Sequence, residues 1–235
     1  VWQELAKGLM EQKPSRMFAV LREAGALARL LPELDRLFGV PQRAEFHPEV
    51  DTGIHTLMVV DQSAHFNYAL PVRWAALLHD LGKGLTPADI LPRHHGHEAA
   101  SVDLAIAVCT RLRVPNDCRD LALLTARYHG EIHRAAELRP STLVTLLEKT
   151  DALRRPERFR QLLEACRCDY TGRLGSEGAD YPQFALLEQA LTAVQNVDAG
   201  ALVQGISDKS QIPARLHEAR VRAIKTSMPA QSPDH

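Results

Sequence analysis

The chain has 235 residues, enough for one large domain or one domain with an appendage. Its formal net charge of −1 excludes a global basic field of the kind that attracts nucleic acid, leaving only a local basic face. There is no signal peptide and no apolar run long enough to span a bilayer, and Cys109, Cys118, Cys166 and Cys168 lack zinc-like CxxC pairing, so a reduced, cytoplasmic setting is expected.

Aromatic content is low at 5%, Leu and Ala are abundant, and almost no stretch alternates with period two, which predicts an all-α protein. The chain begins at Val1 inside what reads as a helix over 1–13 (Trp2, Leu5, Leu9, Met10), as expected of a piece of a longer protein with a domain upstream. Pro14-Ser15 restart it, and Met17, Val20, Leu21, Ala24, Leu27, Ala28 and Leu31 keep the helical period over 16–31. Residues 1–40 hold no catalytic pattern and read as a helical connector. A loop over 41–53 follows, with Thr52 as the expected cap of a helix carrying His55, Leu57, Met58, Val59 and Asp61. The helix over 71–81 is apolar on nearly all sides, hence buried, and closes on His79-Asp80 before Leu81-Gly82-Lys83-Gly84. A loop with Pro87 and Pro92 delivers His94, His95 and His97 to a helix over 99–112. Further helices are expected over 117–128, ending in His129-Gly130, and over 141–149, ending in Thr150-Asp151. Arg154, Arg155 and Arg158 lead into a helical run over 159–170, and two more helices fit 181–196 and 211–226. The domain reading is 1–40 connector, 41–172 central helical domain, 173–227 C-terminal helical extension and 228–235 disordered tail.

An imidazole and a carboxylate at the end of a buried helix are expensive unless compensated, and a divalent cation is an economical compensation. His55, His79, Asp80 and Asp151, from three predicted helices, make a two-His, two-Asp ligand set. Such mixed ligation suits Mn, Fe, Co, Ni or Zn, and less readily Mg. An ion with an open position lowers the pKa of a bound water toward neutrality. His94, His95 and His133 read as partly exposed loop residues. Lys83, between two glycines, is placed to neutralise a phosphate oxygen, or is a solvated turn residue. Arg154 and Arg155, with Arg158, either face a phosphate or form a solvated charged face.

The order His55, then His79-Asp80 with Leu81-Gly82-Lys83, then Asp151, resembles the H…HD…D signature of the HD-domain superfamily of metal-dependent phosphohydrolases, over about residues 50–170. The resemblance implies an all-α HD fold around a divalent metal and hydrolysis of phosphate esters, with His79, Asp80 and Lys83 in catalysis and Asp80 orienting or deprotonating the water. By the same resemblance, His97 and His129 either hold a second ion, with Asp80 bridging, or hydrogen-bond the substrate phosphate. Lys13-Pro14-Ser15-Arg16-Met17-Phe18 and Leu31-Pro32-Glu33-Leu34 look like the helical segment that follows the catalytic half of bacterial CCA-adding enzymes and poly(A) polymerases. His47-Pro48-Glu49 and Asp151-Ala152, with Arg154-Arg155-Pro156-Glu157-Arg158-Phe159, resemble the long, HD-bearing form of the CCA-adding enzymes.

That family resemblance implies 2′,3′-cyclic phosphodiesterase, 2′-nucleotidase and phosphatase activities; the His-rich ligation permits Ni, Co or Mn, with Mg for some activities. The tRNA 3′ end and 2′,3′-cyclic or 2′-phosphorylated nucleotides are the implied partners. The nucleotidyltransferase of the family needs a Gly-Ser turn followed by Asp-x-Asp, and this sequence contains no Asp-x-Asp, so the chain is not expected to add nucleotides by itself. Apolar helix faces near the chain ends leave room for a homodimer. Two other readings stand beside this one: a non-catalytic tRNA-binding or self-association module, and an HD-type nucleotide phosphohydrolase unrelated to tRNA.

Overall fold

The computed structural model describes residues 1–204 and 208–228. Among these the chain is helical, with no strand beyond an isolated bridge between Pro41 and Asp51. The helices are α1 (Trp2–Leu9), α2 (Ser15–Glu23), α3 (Leu27–Leu30), α4 (Pro32–Asp35), α5 (Thr52–His65), α6 (Leu70–Leu78), α7 (His97–Leu112), α8 (Asn116–His133), α9 (Pro140–Lys149), α10 (Pro156–Thr171), α11 (Pro182–Gln195), α12 (Ala199–Val203) and α13 (Ile212–Ser227). The tail expected over 228–235 lies, from residue 229 onward, outside the described residues.

The chain divides into two compact units. The first comprises Val1–His133 and Gln161–Tyr181; the second comprises Arg134–Arg160 and the described residues from Pro182 on. In the first, α6 is the central element, and every residue from Val72 to Leu78 is buried. It packs against α5 and α8, while α7 lies along α8. Its apolarity on all sides follows from having a neighbour on all sides. Arg73 is the polar exception. Its guanidinium donates to the carbonyls of Leu9 (2.8 Å), Glu11 (3.0 Å) and Tyr68 (2.8 Å). Leu9 ends α1, where carbonyls lack helical partners, so Arg73 satisfies them and ties the N-terminal segment to α6. Trp2 stacks edge-on to Trp74 at 5.0 Å, and Asp61 of α5 accepts from the backbone and hydroxyl of Ser15 at 3.0 and 2.7 Å. The segment read as a connector thus belongs to the same compact unit as the helices that follow it.

Several boundaries differ from the sequence expectation for local reasons. The helix read over 16–31 is broken at Gly25, whose φ of +67° lets Ala26 and Gly25 donate back to Leu21 and Arg22 and end α2. The cap of α5 is Asp51, whose carboxylate accepts from Ile54 N at 2.9 Å; Thr52 is already helical and donates its hydroxyl to Val40. Helix α6 stops at Leu78, with His79 as its C-cap, and Leu81–Leu85 is a 3₁₀ turn. That turn packs on the start of α7, with Gly82 N donating to Ser101 Oγ at 2.8 Å. A Cβ at Gly82 would collide with the backbone of His97 and Ser101, so only glycine permits this approach. Finally, α8 continues through Gly130 to His133, which places His129 and His133 on the helix rather than beyond it.

In the second unit, α13 packs on both α9 and α11. Glu148 of α9 receives Arg220 at 2.6 Å and His217 at 3.1 Å from α13.

Candidate metal centre

The first unit gathers its histidines around two carboxylates. His55 lies on the buried stripe of α5 (Thr52, His55, Val59, Ser63) and is fully buried. Its Nε2 is 3.0 Å from Asp169 Oδ1, and its Nδ1 is 2.7 Å from Glu49 Oε1. His79 and Asp80 follow α6; His79 keeps helical backbone angles, and the departure from helical geometry at Asp80 lets both side chains reach one place. His79 Nε2 is 3.1 Å from Asp80 Oδ2 and 3.7 Å from Asp169 Oδ1. Asp80 Oδ1 in turn faces His97 Nε2 at 3.2 Å and His129 Nε2 at 3.5 Å. The residues fall into groups whose ligand atoms could share an ion: His55, His79 and Asp169; Asp80, His97 and His129; and His47, Glu49 and His55.

The orientation of three rings is set from behind. His79 Nδ1 donates to Ala76 O at 2.8 Å, His97 Nδ1 to His94 O at 2.7 Å, and His129 Nδ1 to Thr125 O at 2.9 Å. A neutral imidazole that donates from Nδ1 has a lone pair on Nε2, and these three Nε2 atoms all turn to the Asp80 carboxylate. Lone pairs facing carboxylate oxygens repel one another unless a cation lies among them. Consistent with this, His79 Nε2, His97 Nε2 and Asp80 Oδ1 are buried with no hydrogen-bond partner. This is the arrangement by which backbone carbonyls orient metal-ligating histidines.

Asp169 was not singled out by the sequence reading, which put Asp151 in this role. Asp169 lies on α10 in the buried row Leu162, Cys166, Asp169, spaced i, i+4, i+7. Its Oδ1 serves His55, and its Oδ2 is 2.6 Å from His133 Nε2. His133, expected to be a partly exposed loop residue, is thus a half-buried helical partner of Asp169, and Tyr181 OH donates to its Nδ1 at 3.0 Å. The signal for Asp169 was a carboxylate on the apolar face of an otherwise regular helix.

Asp151 departs from the expectation. It belongs to the second unit and joins none of the ligand groups among the described residues. Its φ is +56°, and it ends α9: Ala152 N donates to Leu147 O and Asp151 N to Glu148 O, a helix-terminating motif that needs a left-handed residue. Aspartate tolerates that conformation better than most residues. Its carboxylate is 3.9, 3.7 and 3.8 Å from Arg154, Arg155 and Arg158. Arg154 and Arg155, read either as facing a phosphate or as a solvated charged face, are grouped with Asp151 in the second unit, and both are exposed.

Lys83 is buried, with Nζ 2.7 Å from Asp80 Oδ2 and 2.6 Å from Gln42 Oε1. One of its three N–H donors remains. Burial opposes ionisation of Asp80, but the Lys83 ammonium beside it outweighs that and holds the carboxyl well below its usual range. Asp169 is likewise depressed against burial, by His133, His79 and His55. Glu49, also opposed by burial, is brought to about 2 by His55 and by backbone donors, Leu174 among them. His55 is raised despite burial by Asp169 and Glu49, while His47 is pushed down to about 3 by burial, His55 and Lys83. Imidazole nitrogens and carboxylate oxygens lie close enough together to share a divalent cation, so the donor set fits such an ion in ligand type. His94 does not join the ligands: its ring spans Thr86 Oγ1 at 2.7 Å and Pro41 O at 3.0 Å, a loop-holding role. His95 is exposed.

Residues 52–168 match the model of the HD domain, and residues 1–38 match that described as the probable RNA and SrmB-binding site of polymerase A. The HD match marks its segment as a metal-dependent hydrolase module; it ends one residue before Asp169. The Multifunctional CCA protein of Dechloromonas aromatica (strain RCB) is 68% identical over 236 residues, covering 100% of this chain and 57% of the relative. That of Burkholderia mallei (strain SAVP1) is 62% identical over 225 residues, covering 95% of this chain and 54% of the relative. That of Burkholderia ambifaria (strain MC40-6) is 60% identical over 229 residues, covering 97% and 55%. The chain thus spans a little over half the length of these curated relatives. Identity of this order along the whole chain leaves no room for a different fold or a different ancestry, and the chain belongs to the family of the Multifunctional CCA proteins as a segment that carries an HD domain.

Proposed function

We propose that the first unit is a metal-dependent phosphohydrolase acting on 2′,3′-cyclic phosphates, 2′-nucleotides and other phosphate esters, in the service of tRNA 3′-end maturation and repair. The observation that carries the reading is the set of three imidazoles, His79, His97 and His129, each fixed by a backbone carbonyl and each turning Nε2 to Asp80. The sequence likeness to the Multifunctional CCA proteins and the RNA-binding match over residues 1–38 support tRNA as the setting.

His55, His79, Asp80 and Asp169 would hold one divalent ion, and Asp80, His97 and His129 are the groups for a second. Nickel, cobalt, manganese and magnesium are the ions to test. When bound, such an ion supplies Lewis acidity toward a phosphoryl oxygen and lowers the pKa of a coordinated water. The remaining work falls to the chain's own groups. Lys83 keeps Asp80 ionised and offers its free N–H to a phosphate oxygen. Gln42 fixes Lys83 through its amide oxygen. Ionised Asp80 is the group that would orient the attacking water or take its proton. Glu49, behind His55, and the chain Tyr181–His133–Asp169 hold the ligands in register.

The test is metal analysis of the purified chain paired with hydrolysis of a 2′,3′-cyclic nucleotide and a 2′-nucleotide across the four ions. His79→Ala or Asp80→Ala is expected to abolish turnover while the helical circular dichroism is retained. Unchanged turnover in either variant sinks the proposal.

A further inference from the structure

A cavity of about 530 Å³ opens beside the centre, wholly within the first unit, and the groups that line it do not resemble a general phosphate site. Lys83 and His97 form its inner wall, and both also contact Asp80. It is also lined by Gln42, which is buried against Lys83, and by Arg43, Phe46, Arg93 and Arg173. Three arginines therefore line one cavity, and none of them makes an ion pair among the described residues, although the Arg173 guanidinium lies over the Tyr170 ring at 5.2 Å. Two buried donors also lack partners. Gln42 gives its Oε1 to Lys83, which leaves Nε2 unsatisfied, and Arg173 Nε has no acceptor. Buried donors without acceptors favour a ligand that brings oxygen atoms.

Phe46 adds a different requirement. It is 55% exposed, and no other phenylalanine or tryptophan among the described residues is classed as exposed. An exposed aromatic ring at the wall of an arginine-lined cavity serves a ligand with a flat, unsaturated part as well as an anionic one. The volume is within the range of small-molecule sites.

We infer that this cavity is a nucleotide subsite: Phe46 stacks on the base, Arg43, Arg93 and Arg173 hold oxygens of the sugar–phosphate, and the scissile ester reaches Lys83 and the His–Asp centre. The ligand class is a nucleotide, free or at an RNA end, rather than a sugar phosphate without a base. The inference rests on the phosphohydrolase reading above and names the substrate part recognised outside the reacting phosphate.

The experiment compares kcat/KM of the chain for adenosine 2′-monophosphate and for glycerol 2-phosphate, an ester without a base. Phe46→Ala is expected to lower the ratio of the two by about tenfold or more, through KM rather than kcat, as loss of base stacking does. Phe46→Trp should restore the ratio. An unchanged ratio in Phe46→Ala, or a Trp variant that behaves like the Ala variant, overturns the inference while leaving the phosphohydrolase reading intact. If neither ester is hydrolysed with any of the four ions, the phosphohydrolase reading has failed, and the subsite is judged by calorimetric binding of adenosine 2′-monophosphate. Binding that weakens about tenfold or more in Phe46→Ala upholds the subsite, and absent or equal binding overturns it.

Discussion

Asp151 and Asp169 stand in the two halves of one short stretch of chain, and their surroundings could hardly differ more. Asp169 is on the inward face of α10, 4% exposed, with each carboxylate oxygen claimed by a histidine. Asp151 is part of the turn that ends α9, its side chain 34% exposed and shared among three arginines. A buried carboxylate costs several kcal/mol in the absence of compensation, whereas one at a helix end in water costs little. The comparison teaches that burial singles out Asp169 as the candidate ligand, whereas the order of residues after the His-Asp pair points to Asp151.

The most decisive test exchanges the two. Asp169→Asn should reduce metal-dependent hydrolysis by at least about 100-fold and strip the ion in metal analysis, because an amide supplies neither the charge nor the same ligand strength. Asp151→Asn should leave both close to those of the parent chain; the reverse outcome would reinstate Asp151 as the ligand. A second measurement sharpens the contrast in stability. An ion at about 100 times its dissociation constant adds about 2.7 kcal/mol to the state that binds it, or roughly 5–10 °C in Tm for a chain of this size. Adding a chelator should remove that increment from the parent chain and from Asp151→Asn, and should have nothing to remove in Asp169→Asn.

A smaller effect is expected one residue farther out. Tyr181→Phe deletes the O–H that donates to His133 Nδ1, behind Asp169. Metal affinity, read by competition with a chelator of known strength, should fall by about tenfold with the fold unchanged. No change would mean that His133 holds Asp169 unaided. The smallest effect belongs to Asp151 as a helix terminator. Asp151→Ala places a Cβ-bearing, non-polar residue at φ +56° and should cost about 1 kcal/mol by denaturant unfolding, while Asp151→Gly recovers the loss. Equal stability of the two would remove the backbone account of why an aspartate is there.

Much of this was legible in the residues. The buried helix ending in His79-Asp80 was read from its apolarity, and the structure shows why: α6 has neighbours on all sides. The helix carrying His55 and the approximate positions of α7, α8 and α9 followed from period and punctuation. Breaks were less legible. Gly25 ends a helix because its backbone turns left-handed, while Gly130 does not end one, and the composition of the two neighbourhoods does not announce the difference. The role of His133 was hidden for the same reason, since ending α8 at residue 128 left it in a loop. Lys83 was read as a group aimed at substrate, yet its first partners are Asp80 and Gln42.

By itself the sequence determined the all-helical class, the buried helix with a polar end, and the chemistry that imidazole and carboxylate side chains share with a divalent cation. Those depend on local period and on residue type, both of which are written along the chain. Only the tertiary structure shows which carboxylate lies beside them. Helical register says that Asp169 faces inward, but not what it faces, and its contact with His55 joins residues 114 positions apart. Such a pairing arises from the packing of α5, α6, α8 and α10 within one unit, and packing is a property of all those helices together rather than of any stretch of sequence.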